Sequence, residues 1–427
     1  MELDCCRERL VQEIKAARPK VVVLAGAAAV HALIGNEGVT ALQGMLLQWV
    51  DSRDGFEVAV VPCFHPAAVL RRPELFQDFA DALDKCKRYL LGQSLIDVQP
   101  DSFGKVRLGS NRVKADAFLT TLKSVPSKVS VDIETSGYNP YKDRILCLGL
   151  AARVDGAVRR YAIPWEEVDK HLLQELLHSK SLVFYNGEFD VQFLKSEGLD
   201  AAIGDDVILQ HYLVDTRPNA LGLKHGARKY LNAPDWEEDL KQYLPTRQTS
   251  FEEVPMEILL NYTSLDAAYT LVLGEQLPTY MDSDDKWVYE HILVPAANMF
   301  VHCSRVGIRV DVHRLEQLKA EYTSRLQVLS DKLAEIAGLP VFNPRSVRDC
   351  RALLYDVLKL NPVDGTYSTG REVLDYYSRV EAVQLLKEFR EKAKILGTYL
   401  EGLLDDLVAH QEGGRTVFRV HPNLKLF

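Results

Sequence analysis

Asp132 and Glu134 sit two residues apart in Val129–Thr135, which reads VSVDIET. Side chains alternate across a strand, so both carboxylates face one way while Ile133 faces the other. They stand about 7 Å apart along such a strand, and two like charges at that spacing repel. A divalent cation between them turns repulsion into coordination; the plainer reading is a solvated strand end. Asn186-Gly187-Glu188-Phe189-Asp190 puts a third acid, Asp190, in the first turn of a helix, where the helix dipole favours a carboxylate. Asn261-Tyr262-Thr263-Ser264-Leu265-Asp266 puts a phenol and a fourth acid at i and i+4 on one helix face. Taken singly, Asp190 is a capping acid and Tyr262–Asp266 a surface pair. Taken together, four carboxylates offer the hard oxygen donors that suit Mg²⁺ or Mn²⁺. Two such ions about 4 Å apart both generate a nucleophile from water and relieve charge on a leaving oxygen.

These residues need a sheet and helices to hold them. Residues 115–122 have helical spacing. Residues 129–134, 145–151 and 159–163 are apolar runs that predict an antiparallel meander, followed by an amphipathic helix over 166–178. Residues 181–185 form a short buried strand. The helix over 188–196 turns Phe189, Phe193 and Leu194 inward, and a long helix over 255–277 carries Tyr262 and Asp266.

The ordered set Asp132-x-Glu134, Asn186-x-x-x-Asp190 and Tyr262-x-x-x-Asp266 resembles the DEDDy 3′→5′ exonucleases, and in particular the proofreading domain of family A DNA polymerases. Asp206 opening a helix and Leu221-Gly222-Leu223-Lys224 before Tyr230-Leu231 agree with it. The resemblance spans about 115–280. It implies an α/β fold of the ribonuclease H-like kind, a mixed sheet flanked by helices. It further implies that Asp132 bridges two Mg²⁺ (or Mn²⁺) ions, that Glu134 and Asp266 hold the first, and that Asp190 acts chiefly at the second. Tyr262 is then the group that orients the attacking water; neighbouring carboxylates raise a phenol's pKa, so it is not the base. Thr135 is expected at the terminal nucleotide and Asn186 at the loop or scissile strand. The DEDDh class has His-x-x-x-x-Asp in place of Tyr262-x-x-x-Asp266.

Residues 1–92 alternate apolar strands (20–24 and 56–61) with helices, which predicts a partial, parallel α/β layer. Pro19-Lys20-Val21-Val22-Val23-Leu24 with Gly26, and His65-Pro66-Ala67-Ala68 with Leu70 and Arg71, resemble the second half of a uracil-DNA glycosylase superfamily domain. The family's first half is absent, with its water-activating loop and most of its iron–sulfur cysteines. Neither glycosylase activity nor an iron–sulfur cluster is therefore expected, and His65 is read as belonging to a degenerate loop. Residues 93–112 read as a linker.

Residues 281–427 read as an all-helical region. Gly307-Ile308-Arg309-Val310-Asp311, Phe342-Asn343-Pro344-Arg345-Ser346, Tyr367-Ser368-Thr369 and Phe389-Arg390 resemble the connector and thumb base of family A polymerases. That resemblance implies that Lys387, Arg390 and Lys394 meet DNA phosphates; the simpler reading is a solvated helix face. The family's palm aspartates and fingers helix have no counterpart in the 427 residues, so polymerisation by this chain is not expected. The chain then reads as a fragment, one half of a split polymerase or a piece of an interrupted one; the expected partners are single-stranded DNA 3′ ends and primer–template duplex, with a separate palm-and-fingers chain in the split case.

Composition bounds these readings. With 47% hydrophobic and 26% charged residues the chain has ample core for several domains. A net charge of −9 excludes binding to nucleic acid by bulk charge, though not by local basic grooves. Seven cysteines without a Cys-x-x-Cys fit a reducing compartment, and no run of 18 apolar residues predicts a membrane span. A cytoplasmic setting, in a bacterial or phage-infected cell, is expected. Two other functions fit parts of the pattern: a DNA- or polymerase-binding module without cleavage, and an RNA-trimming exonuclease. Four retained acids oppose the first, because like charges without a cation cost stability. The acids do not separate DNA from RNA; the polymerase-like helices favour DNA.

Overall fold

The computed structural model describes residues 2–426 apart from 36–37, 94, 127, 218–219, 245, 247–248, 340–341, 364 and 425. The chain divides into two compact units, Met1–Val301 with Leu426–Phe427, and His302–Lys425.

The first unit begins with α1 (Glu2–Ala17), β1 (Val21–Ala25), α2 (Ala27–Leu33), β2 (Leu47–Val50), β3 (Glu57–Cys63), α3 (Pro66–Arg71) and α4 (Phe76–Leu90). β1 runs parallel to β3, as the apolar runs predict, but β2 pairs antiparallel on the other side, making a mixed sheet of order β1-β3-β2. β2 escapes a search for apolar runs because its burial alternates along Leu-Gln-Trp-Val. β3 is central and buried from Val58 to Cys63.

The larger sheet of this unit has the order β4-β7-β6-β5-β8-β9. Its strands are β4 (Arg107–Leu108), β5 (Val129–Thr135), β6 (Ile145–Val154), β7 (Ala157–Pro164), β8 (Leu182–Phe184) and β9 (Asp205–Asp206). β5, β6 and β7 form the expected antiparallel meander, and β8 and β9 add parallel to β5. The helices are α5 (Arg112–Ser124), α6 (Lys170–Ser179), α7 (Gly187–Ser196), α8 (Val207–Val214), α9 (Leu223–Leu231) and α10 (Met256–Gln276). Val129, Val131 and Ile133 of β5 share a core with Leu119 of α5, Leu173 of α6 and Val191 of α7. The alternate residues, Asp132 and Glu134, therefore leave the sheet on its opposite face, the one that α10 covers.

How closely α10 approaches is set by Gly149. It lies opposite Asp132 on β6, and a Cβ there would stand 2.6 Å from the Thr263 carbonyl oxygen and 2.7 Å from Thr263 Cγ2. Buried Arg160 on β7 pins the same helix, donating from Nη1 to Asn261 Oδ1 (2.7 Å) and Ser264 Oγ (2.9 Å).

Three stretches differ from expectation. The segment read as a linker is partly built into the sheet: β4 pairs parallel with the edge of β7, and Phe103 is buried edge-on against Tyr269 at 4.9 Å. A two-residue strand has no period to detect. Residues after 280, read as part of the C-terminal region, continue the first unit: Ala297 and Val301 join its core, and the Asn298 amide bonds both backbone groups of Ile203 at 2.9 Å. The second unit is mainly helical, with α11 (Val312–Ala337) and α12 (Glu381–Lys394) sharing a core, yet β10 (Ile308–Val310), β11 (Val408–Glu412) and β12 (Arg415–Val420) also form a sheet of order β10-β12-β11. Its hairpin joins β11 (Val408–Glu412) to β12 (Arg415–Val420) through Gly413-Gly414, both at positive φ, the geometry of a two-residue hairpin loop. The largely polar flanks hid that turn signal. Among the described residues no helix is long and apolar enough to cross a membrane.

Gly149→Val is expected to lower the stability of the first unit by about 1–3 kcal/mol, with Gly149→Ala less costly. The urea midpoint measures this; an unchanged midpoint for Gly149→Val would mean that α10 does not rest on β6.

Candidate metal centre

β5 and α10 bring Asp132, Glu134 and Asp266 together: each offers a carboxylate oxygen within 4.8 Å of the others. Asp190 stands beside them on the first turn of α7. Its Oδ1 accepts the Ile133 N–H at 3.2 Å, which ties α7 to the strand between the two acids. Asp190 and Asp266 are buried, while Asp132 and Glu134 keep some surface open.

Burial, and then the mutual repulsion with Asp266 and Asp190, hold both Asp132 and Glu134 well above the usual carboxylate range. Burial pushes Asp190 up to about 8, against the partial relief of its backbone hydrogen bonds. Asp132 Oδ2 is buried with no hydrogen-bond partner. An anionic oxygen in that state is expensive unless a cation meets it. Oxygen-only donors, close spacing and an orphaned carboxylate oxygen together fit a hard divalent cation.

Two residues not assigned a role from sequence complete the site. Lys224, on α9, reaches Asp266 Oδ2 at 2.5 Å and the Tyr262 hydroxyl at 2.7 Å, with Glu237 at 3.3 Å. Burial alone would lower its pKa, but Asp266 and Glu237 outweigh it and keep the ammonium above its ordinary range. Trp236 donates from Nε1 to Asp266 Oδ1 at 2.6 Å. Both oxygens of Asp266 are thus held in place while lone pairs remain for a cation. Lys224 was visible as part of Leu221-Gly222-Leu223-Lys224, but nothing in that spacing says what it touches.

Tyr262 lies over the same acids, and burial followed by the charge of Asp266 and Glu134 keeps its hydroxyl protonated far above its usual range. Thr135 is buried and donates its hydroxyl to the Gly137 carbonyl (2.6 Å). Asn186 is exposed at the N-cap of α7 in the left-handed region (φ 65°), which asparagine tolerates better than most residues. Asp206 holds that turn: its two oxygens accept the Asn186 and Gly187 N–H groups at 2.9 Å each.

The remaining sequence candidates lie elsewhere. His65 caps α3, its Nδ1 accepting the Ala67 N–H at 3.1 Å. In the second unit Lys387 pairs with Asp375 at 2.6 Å, Arg390 donates to the Thr369 carbonyl, and Lys394 is exposed.

Residues 110–282 match the family model for 3′-5′ exonucleases. This segment is a 3′-5′ exonuclease domain. Residues 312–425 match the DNA polymerase family A model, and residues 1–90 match the uracil DNA glycosylase superfamily. The DNA polymerase of Escherichia phage T5 is 28% identical over 272 residues, 56% of this chain and 32% of that protein. DNA polymerase I of Chloroflexus aurantiacus is 24% identical, over 67% of this chain and 32% of its own length. The DNA polymerase of Bacillus phage SP01 is 23% identical, over 76% and 38%. The chain thus spans about a third of the length of the curated relatives it matches. A solved POL domain of Pol1 from M. smegmatis, in complex with DNA primer-template and dNTP, superposes with a TM-score of 0.54 at 18% identity, covering 74% of this chain and 52% of that one. At that identity the likeness is one of fold.

The carboxylates of the exonuclease domain give its metal-free form a defined pH dependence. Asp190 holds its proton up to about 8 when folded, against 3.8 ordinarily. The folded state then binds the proton more tightly, so ionising Asp190 opposes folding at high pH, and the opposition fades as pH falls through 8 toward 4. In EDTA, Asp190→Asn is expected to raise the thermal midpoint at pH 8.5 and to have little effect near pH 4. Equal effects at both would contradict the assignment.

Proposed function

We propose that the chain is a metal-dependent 3′→5′ exonuclease that removes nucleotides from DNA 3′ ends, serving proofreading by a family A DNA polymerase in the cytoplasm of a bacterial or phage-infected cell. The observation that carries this is the partly buried triad of Asp132, Glu134 and Asp266, with Asp132 Oδ2 unpartnered, inside a segment matched to the exonuclease family. DNA is favoured over RNA because the matched relatives are DNA polymerases and residues 312–425 match that family too. The proposed partners are single-stranded DNA 3′ ends, primer–template duplex and a polymerase palm and fingers.

Asp132, Glu134 and Asp266 would hold the cation, with Asp190 beside them; all-oxygen donors favour Mg²⁺ or Mn²⁺. The chemistry a divalent cation would supply there is Lewis acidity toward a phosphodiester and a lowered pKa for water. The protein's own groups do the rest. The Tyr262 hydroxyl keeps its proton and accepts from Lys224, so it orients a water by hydrogen bonding and does not take its proton. Lys224 and Trp236 fix Asp266. Asp206 braces the turn before Asp190 through two backbone N–H groups. Thr135 and Asn186 flank the acids and are proposed to meet the terminal nucleotide and the strand.

Asp132→Ala and Asp266→Ala are each expected to slow release of mononucleotides from a labelled DNA 3′ end by roughly 10²–10³-fold, the scale of losing one preorganised electrostatic group. Tyr262→Phe is expected to cost less. Cleavage that persists in EDTA, or an RNA 3′ end digested faster than its DNA counterpart, would overturn the proposal in its metal or its substrate.

A further inference from the structure

A cavity of about 380 Å³ lies in the first unit between α4 of the N-terminal block and α9 of the exonuclease domain, and none of the four carboxylates of the metal centre lines it. Amide bonds and ion pairs across the junction pin its walls. The Asn232 amide bonds the backbone N–H and C=O of Leu46 at 2.7 and 2.9 Å. Arg217 bridges to Asp78 at 2.7 Å and Lys229 to Asp81 at 2.8 Å. Those bridges use two of the three carboxylates on the lining and leave only Asp84, which is exposed.

Lys85, Arg88 and Arg228 also line the cavity, and among the described residues none of them makes an ion pair with a carboxylate. Among the described residues, Lys85 donates only to the Asn232 side-chain Oδ1 at 3.4 Å, and Arg228 only to the Thr40 backbone carbonyl at 3.2 Å. Arg228 Nε and His225 Nε2 are buried without partners. Burial lowers Lys85 to about 8 and also lowers Arg228. Half-buried cations with no carboxylate in ion-pair contact carry a desolvation cost that a multivalent anion offsets. Phe64 and Tyr280 also line the cavity, side chains of the aromatic kind on which a base stacks. The volume is at the small end of the range of about 300–1,000 Å³ for small-molecule sites.

We propose that this cavity binds a nucleoside 5′-monophosphate, its phosphate held by Lys85, Arg88 and Arg228 and its base by the aromatic wall. This is the chemical class that a 3′→5′ exonuclease releases, so the choice of a nucleotide rests on the function proposed above; the phosphate recognition rests on the unpaired cations alone. Occupied, the site links the N-terminal block to the nuclease that supplies its ligand.

The test uses the full chain in EDTA and reads the thermal midpoint with millimolar dAMP, deoxyadenosine or inorganic phosphate. Each variant's own ligand-free midpoint is its reference. dAMP is expected to raise the midpoint by about 2–4 °C in the wild type and in Asp132→Ala. The rise should vanish in Lys85→Gln and Arg228→Gln and shrink in Arg88→Gln. A rise that disappears in Asp132→Ala but survives in Lys85→Gln would place binding at the metal centre and overturn the proposal. So would an equal response to deoxyadenosine, which lacks the phosphate, or to inorganic phosphate, which lacks the nucleoside. A Lys85-dependent response to dAMP in a chain that cleaves no DNA would uphold the site while the exonuclease reading fell.

Discussion

The rest of the first unit depends on holding Asp132, Glu134 and Asp266 within 4.8 Å of one another in a partly buried patch. Three like charges in low dielectric oppose folding, and nothing about them is self-stabilising. The structure meets this with a packed scaffold that leaves α10 no other place to lie. Gly149 removes the side chain that would lift the helix, and Arg160 fastens it from the neighbouring strand. Lys224 supplies one positive charge inside the patch. That single charge does not match the acids gathered here, which fits a site for a divalent ion.

The same logic explains why the supporting bonds converge on backbone. Asp190 is held by the Ile133 N–H, and the turn that presents Asp190 is held by Asp206 through two further N–H groups. Backbone groups of strands and helix starts move little, so carboxylates anchored to them keep their spacing whether or not a cation is bound. Side-chain partners are reserved for Asp266, which comes from a long helix and needs Lys224 and Trp236 to hold its rotamer.

The N-terminal block and the exonuclease domain share one compact unit, and their junction is also polar. Its ion pairs and the Asn232–Leu46 bonds fix orientation, while the unpaired Lys85, Arg88 and Arg228 leave a local excess of positive charge in a chain of net charge −9. Such a pocket shows why a negative total does not exclude anion recognition: the field that matters extends only about a Debye length.

By itself the sequence determined the chemistry and most of the elements that present it. Period-two alternation puts Asp132 and Glu134 on one face, i to i+4 spacing puts Tyr262 and Asp266 on another, and apolar runs mark β5, β6, β8 and α10. These are local properties of the chain. It did not disclose β2, β4 or the β11–β12 hairpin, whose strands are short or polar; β4 moreover takes its partner, β7, from a distant part of the chain. Nor did it disclose that Lys224 and Trp236 hold Asp266, or that Gly149 sets the height of α10 over β5. Those facts were decided by tertiary packing, because they depend on which faces meet across 30 to 120 residues of chain, a separation at which spacing carries no signal.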